Sequence, residues 1–496
     1  MKLILYIIFS LSFCDIKIVS EFGMPDDRFG RDVSLSNEWI AVGANRDDNE
    51  NGSNAGSIYV YRYDDLEIID EFFLVAPDGE SNDYFGKTVS VYQNWLLTSS
   101  IYDNVNGEKS GSAYLFNFNG ESWAFHTKIV PEDGSPFDRF GYSLDIHDDQ
   151  VIIGSVYDDD LAENAGSAYV YELLNEQWVF KQKLKLDSPD VDDFFGISVS
   201  ISSNLIAVGV VNDDDLGLNS GSVILFKKNN NEWEHFYKIL AFDGSDYDLF
   251  GNDIDLNLRK LVVGSFHDDN FYNNSGSVYL YEVNQDYEVL LLNKITSLDE
   301  SPNDNFGYSV SLSDNYFAVG SKDNDNGINS GAVYLYDLID NLNQFKYIPD
   351  DGEAFDEFGV SLSIYENKIL VGSQHSNNSI GAVYLSNIMN CNNILACNYN
   401  DGLLNDDFGC QFPINNYDCS GNCFYEVDNC GVCNGQNLKG DVNYDSIVDI
   451  VDVVFIVDYI LAYNLQNLNT CMADINFDLL VNITDLILII EFILES

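Results

Sequence analysis

The dipeptide Phe-Gly recurs seven times, at Phe29-Gly30, Phe85-Gly86, Phe140-Gly141, Phe195-Gly196, Phe250-Gly251, Phe306-Gly307 and Phe358-Gly359, at intervals of 56, 55, 55, 55, 56 and 52 residues. A fixed period of this size means one supersecondary unit copied around a ring or along a rod. An alternating run follows each Phe-Gly, as in Arg31-Asp32-Val33-Ser34-Leu35, and a tight polar turn leads to an apolar run such as Ile40-Ala41-Val42-Gly43. An acidic loop then reaches Gly-Ser and a third run, as in Gly56-Ser57-Ile58-Tyr59-Val60-Tyr61, and a fourth segment usually opens on an aromatic residue, as at Trp178 and Trp233. Alternation of period two, with β-branched and aromatic residues between Gly, Asn and Asp, marks four short strands. Four strands repeated seven times predict an all-β seven-bladed β-propeller over residues 15–387. The seventh repeat runs out after its third strand, 381–385, and a surplus strand, 16–22, precedes the first Phe-Gly. Pairing the two closes the ring and hides its edges.

The repeat pattern Phe-Gly, then Val42-Gly43-Ala44 or Val319-Gly320-Ser321, then Gly-Ser/Ala-x-Tyr resembles the FG-GAP repeat of integrin α-subunit propellers and their bacterial relatives. The resemblance implies a disc with one ligand-binding face, and a protein that recognises or adheres. Integrin-type repeats often hold calcium in an Asp-x-Asp-x-Asp-Gly loop between strands one and two. Here those turns, such as Ser36-Asn37-Glu38, Ser202-Ser203-Asn204 and Ser313-Asp314-Asn315, are too short to wrap an ion.

The chain carries 23 basic against 81 acidic residues, a net charge of −58 over 496 residues, so nucleic acid and anionic membranes are repelled and cations are the natural partners. Much of the acid lies in the loops joining strands two and three, including Asp158, Asp160, Asp213, Asp215 and Asp268. Such oxygen-rich loops suit a hard cation such as Ca²⁺. A second set, Asp27, Asp83, Asp138, Asp193, Asp248, Asp304 and Asp356, stands two residues before each Phe. These read as caps of their own turns. In a four-stranded up-and-down blade both sets emerge on one face.

Met1-Lys2 and the apolar run 3–13 read as a signal peptide over residues 1–14, too short for a transmembrane span, so the protein is expected to be exported to the cell surface or medium. Leu11-Ser12-Phe13-Cys14 loosely resembles a lipoprotein cleavage box, with bulky Phe13 where a small residue is expected. The other eight cysteines all lie at or beyond Cys391, so residues 388–438 read as a small disulfide-rich segment of undetermined connectivity. Cys419, Cys423, Cys430 and Cys433 offer a zinc set as the alternative.

Residues 439–496 hold two loops of EF-hand spacing: Asp441, Asn443, Asp445, Ile447, Asp449 and Asp452, then Asp474, Asn476, Asp478, Leu480, Asn482 and Asp485, at positions 1, 3, 5, 7, 9 and 12. Ile447 and Leu480 are placed to give backbone carbonyls. Apolar helices are expected over 453–461 and 486–494. Duplicated loops ending in Asp, with the opening Gly440-Asp441-Val442-Asn443, resemble dockerin modules and imply a small α-helical calcium-binding domain whose partner is a cohesin-like or other cell-surface protein. Position 6 is Ser446 in one loop and Leu479 in the other, where glycine is usual.

The five histidines are scattered, with no His-Glu-x-x-His, no Gly-x-Ser-x-Gly and no phosphate-binding Gly-Lys-Ser/Thr loop, so no enzyme is expected. The reading is an exported, calcium-binding recognition or adhesion protein whose propeller takes a protein or glycan ligand and whose tail attaches it. The alternative is a non-catalytic component of an extracellular polysaccharide-degrading complex.

Overall fold

The computed structural model describes residues 16–270, 272–297, 299–322, 328–338, 344–349, 351–388, 442, 448–462, 473–476 and 480–495. The predicted signal peptide, the cysteine-rich segment and the loop Asp323-Asn324-Asp325 therefore lie outside the described residues. The chain divides into two compact units, Met1–Met389 and Asn390–Ser496.

The first unit is a propeller of seven four-stranded antiparallel sheets. Blade 1 shows the plan, with strands Phe29–Leu35, Trp39–Ala44, Ser57–Asp64 and Glu67–Leu74 in sequential order. Its second strand is buried throughout, whereas its fourth alternates exposed and half-buried. Middle strands are covered by a neighbouring blade on each face and so read as continuous apolar runs, while an outer strand keeps one wet face. The core consequently lies between blades: Leu225 and Ile239 of blade 4 pack with Phe250, Val263 and Tyr279 of blade 5. Ring closure follows the expected plan. Ile16–Ile18 pairs antiparallel with Ala382–Asn387 of blade 7, Ile16 opposite Leu385 and Ile18 opposite Val383. The closing strand is shorter than the expected 16–22, because residues 19–22 leave the sheet for the turn into blade 1.

The repeated motifs prove to be two halves of one clasp. Each Phe packs edge-on against a third-strand aromatic of its own blade, a tyrosine in six blades, as in Phe85–Tyr114 with centroids at 5.3 Å and 83° and Phe140–Tyr169 at 5.3 Å and 77°, and Phe226 for Phe195 in blade 4. Its backbone meets the glycine that opens the third strand of the preceding blade, in parallel bridges such as Gly111 with Phe140 and Gly381 with Phe29. Gly111 has φ +82°, and an added Cβ would stand 2.2 Å from the Phe140 carbonyl oxygen, so no side chain is tolerated there.

In the second unit helix α1, Ile450–Ala462, and helix α2, Ile483–Glu495, pack around Val442, Val453, Ile456, Ala473 and Ile489. Both helices begin three residues before the expected starts. The cause is an N-cap: Asp449 Oδ1 accepts the Val451 N–H at 2.7 Å, and Asn482 Oδ1 accepts the Thr484 N–H at 2.8 Å. No helix among the described residues is long and apolar enough to cross a membrane.

Candidate functional site

The face carrying the strand 2–3 loops also carries the connections between blades, which bond to each other: the Asn82 N–H donates to the Ser53 carbonyl and the Tyr84 N–H to the Asn54 carbonyl. On this face Asp158 is 3% exposed. Its Oδ1 accepts the Asp160 N–H at 3.0 Å, and its Oδ2 accepts Ser167 Oγ at 2.7 Å, Tyr169 Oη at 3.0 Å and Lys183 Nζ at 2.7 Å. Lys183 also pairs with Asp160 at 2.5 Å and Asp133 at 2.9 Å. Burial works against its ammonium, but the aspartate hydrogen bonds outweigh burial and raise its pKa. Blade 4 repeats the arrangement with Lys238 on Asp213 and Asp215, and blade 5 with Lys294 on Asp268 and Asp243. At Asp158, Asp160, Asp213, Asp215 and Asp268, the positions expected to hold a metal, the cation that faces the carboxylates is a lysine of the chain's own fourth strand.

The aspartates before Phe behave as turn caps in every blade. Asp27, Asp83, Asp138, Asp193, Asp248, Asp304 and Asp356 each accept the backbone N–H three residues earlier, at 2.5–2.9 Å. Burial, with a smaller push from neighbouring carboxylates, raises Asp27, Asp83 and Asp193 to about 6 and Asp138 and Asp248 to about 7.

In the second unit the aspartates at position 12 organise both loops alike. Asp452 Oδ1 accepts the Val442 N–H at 2.9 Å and its Oδ2 the Asp449 N–H at 2.9 Å. Asp485 Oδ1 accepts the Ile475 N–H at 2.8 Å and its Oδ2 the Asn482 N–H at 2.9 Å. Both carboxylates are fully buried, and Asp474 is 8% exposed. Asp449, Asn476 and Asn482 are half-buried and Leu480 is exposed, while Asp441, Asn443, Asp445, Ile447 and Asp478 lie outside the described residues. Asp485 Oδ1 also accepts the Asn476 N–H at 3.2 Å, and the oxygen-bearing side chains at these spacings are of the chemistry that a hard-cation loop uses.

Seven segments, 15–61, 70–116, 123–171, 178–226, 233–281, 291–336 and 343–386, match the FG-GAP repeat. The chain belongs to the FG-GAP repeat family. Residues 439–494 match the dockerin type I domain. No curated protein matches the chain.

The axis of the FG-GAP propeller is a cavity of about 590 Å³, lined by the first strand of every blade. Side chains there tie neighbouring blades together: Asp145 Oδ2 accepts the Ile201 N–H at 2.9 Å, Asp255 Oδ2 the Leu312 N–H at 2.7 Å and Ser34 Oγ the Val91 N–H at 3.0 Å. Burial, then repulsion from Asp255, pushes Asp145 up to about 7 and Asp253 up to about 8 against their backbone hydrogen bonds. Sequence reasoning missed two features of this FG-GAP face. The fourth-strand lysines Lys128, Lys183, Lys238, Lys294 and Lys346 recur at 55, 55, 56 and 52 residues, so their period was visible. The residues around the mouth of the axial cavity differ from blade to blade, and no period marks them.

Proposed function

We propose that this chain is an exported, non-catalytic recognition or adhesion protein, in which the FG-GAP propeller presents a ligand face and the dockerin domain anchors it to a cohesin. The observation that carries this reading is the joining of a seven-repeat FG-GAP match to a dockerin type I match in one chain. Calcium fits both tail loops, held by Asp441, Asn443, Asp445, Asp449 and Asp452 and by Asp474, Asn476, Asp478, Asn482 and Asp485, with the carbonyls of Ile447 and Leu480. When bound, the ion supplies charge neutralisation that draws the loop ligands together. Val451, Val454 and Phe455 on α1 and Ile483, Ile487 and Ile490 on α2 are exposed, which supports docking of these helices to a partner.

The test is calorimetric titration of Ca²⁺ into the metal-free full chain, followed by binding to an immobilised cohesin with and without EDTA. Two sites and a calcium-dependent cohesin complex support the reading; no calcium uptake and no complex overturn it. The dockerin match also favours a second reading, a non-catalytic subunit of an extracellular polysaccharide-degrading complex. Recovery with glycoside hydrolases on a shared cohesin scaffold would favour that one, whereas retention on the producing cell's surface favours adhesion.

A further inference from the structure

In a chain with a net charge of −58, the centre of the propeller face is cationic. Arg31 and Lys87, from blades 1 and 2, line the axial cavity; Arg28 lies within electrostatic reach of this pair, Arg46 within reach of Arg28, and Arg139 of blade 3 stands over Tyr157 of the cavity lining. Arg28 is held down first by burial and then by repulsion from Arg46 and Arg31, and Lys87 falls to about 7 through burial and repulsion from Arg31. Among the described residues none of the five makes an ion pair within 4.0 Å, whereas the fourth-strand lysines are committed to aspartates. Asp26 and Glu357 lie in electrostatic reach of Arg28, and Asp32 in reach of Lys87 and Arg31. Glu357 is already engaged by Lys322 and His375. The Nε atoms of Arg28, Arg46 and Arg139 are buried and have no hydrogen-bond partner among the described residues.

Aromatic rings interleave with these cations. Arg46 lies 5.8 Å from the Tyr84 ring centroid, Arg139 lies 5.3 Å from Tyr102 and 4.3 Å from Tyr157, and Lys87 lies 5.2 Å from Tyr142. The residue just before Phe has positive φ in every blade, 61° at Arg28, 60° at Tyr84 and 51° at Arg139, so this conformation belongs to the repeat and sets where these side chains stand. Non-glycine residues hold this conformation only where the surroundings enforce it. Below the rim the wall is hydroxyl and carboxyl: Ser90, Ser200 and Ser311 stand beside Asp145 and Asp255.

We propose that the mouth of the axial cavity binds an anionic saccharide, a sugar carrying a carboxylate or sulfate. The inference rests on the reading of the propeller as the ligand-binding module and names its ligand class. The arginines and Lys87 take the anionic group, the tyrosines offer faces to the sugar ring, and the serine and aspartate wall accepts and donates to its hydroxyls. A cavity of about 590 Å³ is of the size that holds one small ligand unit. Extended polyanions such as nucleic acid are disfavoured because the cationic mouth is ringed by the acidic loops.

The experiment is calorimetry on the full chain with four probes: trigalacturonate, its methyl ester, a sulfated galactan hexasaccharide, and hexaglutamate. The expected result is binding of trigalacturonate or the sulfated sugar, no binding of the ester, and a Kd at least about tenfold weaker in Arg31→Gln/Lys87→Gln, the loss expected for charge-assisted hydrogen bonds. Which of the two sugars binds identifies the anion. Should the double variant unfold, the wild-type Kd decides: it weakens between 50 and 500 mM NaCl if about two cations meet the anion. Binding of neither sugar, equal binding of the ester, a Kd insensitive to both variant and salt, or preference for hexaglutamate overturns the proposal. Cohesin binding, measured on the same samples, separates the two readings. If it survives while the sugars fail, only the saccharide proposal falls; if both fail, the propeller-and-anchor reading falls with it.

Discussion

Lys183 shows how a strongly acidic chain folds at single-residue scale. Its side chain is 13% exposed, and its ammonium pairs with Asp133, Asp158 and Asp160. Lys183→Met would leave Asp158 buried and without its counter-ion, which costs about 3 kcal/mol. Urea denaturation of the variant should show a lower midpoint with an unchanged slope; an unchanged midpoint would mean that the three aspartates contribute nothing through this lysine. The turn aspartates work in the opposite sense. The folded pKa values of Asp27, Asp83, Asp138, Asp193 and Asp248, about 6–7, stand above the usual carboxylate value, so the folded state holds protons that the unfolded state has released. Their contribution is present at low pH and is lost as pH rises through about 6–7. The lysine-bound Asp78, Asp133 and Asp299 have lowered values, because hydrogen bonds from lysine outweigh burial, and stay ionised throughout that window. The melting temperature should therefore fall from pH 5 to pH 8. Asp138→Asn keeps an acceptor for the Ser135 N–H and should flatten that slope, a comparison that two thermal scans make directly.

The unit of construction is the blade pair rather than the blade. A phenylalanine that packs on a third-strand aromatic of its own blade and bonds through its backbone to the previous blade's glycine explains why Phe-Gly and Gly-Ser recur together. Ile16–Ile18 is the smallest element on which the whole ring depends. Ile18 is 7% exposed and packs with Val383 and Leu385 of blade 7 and Leu35 of blade 1. Ile18→Asp should detach that strand and expose the edge of Ala382–Asn387, with loss of cooperative unfolding and gain of self-association. Analytical ultracentrifugation and a thermal melt test it, and a monomer melting as the parent does would rule the closure role out. The strand's boundaries were only partly legible, because the residues after Ile18 alternate well enough for a strand yet turn toward blade 1. The helix starts at Ile450 and Ile483 were displaced for a related reason: capping by Asp449 and Asn482 is a local hydrogen bond that apolar periodicity does not register.

The whole molecule joins a propeller to a dockerin domain, and the two should answer calcium differently. Removing Ca²⁺ with EDTA should reduce the helical signal of the tail and leave the β-sheet signal of the propeller unchanged, since Asp158, Asp213 and Asp268 face lysines and the turn aspartates accept backbone N–H groups. Asp452→Ala/Asp485→Ala should reproduce the loss without chelator, because these buried carboxylates bind both ends of each loop; circular dichroism reads both experiments. A propeller signal that follows EDTA would place metal on the acidic face. Sequence alone determined the blade number, the strand order, the ring closure and the dockerin loops, because each is written in a spacing that backbone geometry must obey. Only the tertiary structure decided what the acid does. A carboxylate reads the same in sequence whether it faces calcium, a lysine or its own turn, and the partner of Asp158 arrives from Lys183, 25 residues away on another strand. The cationic mouth was equally hidden, since Arg28, Arg46, Lys87 and Arg139 meet only when the ring brings blades 1–3 side by side.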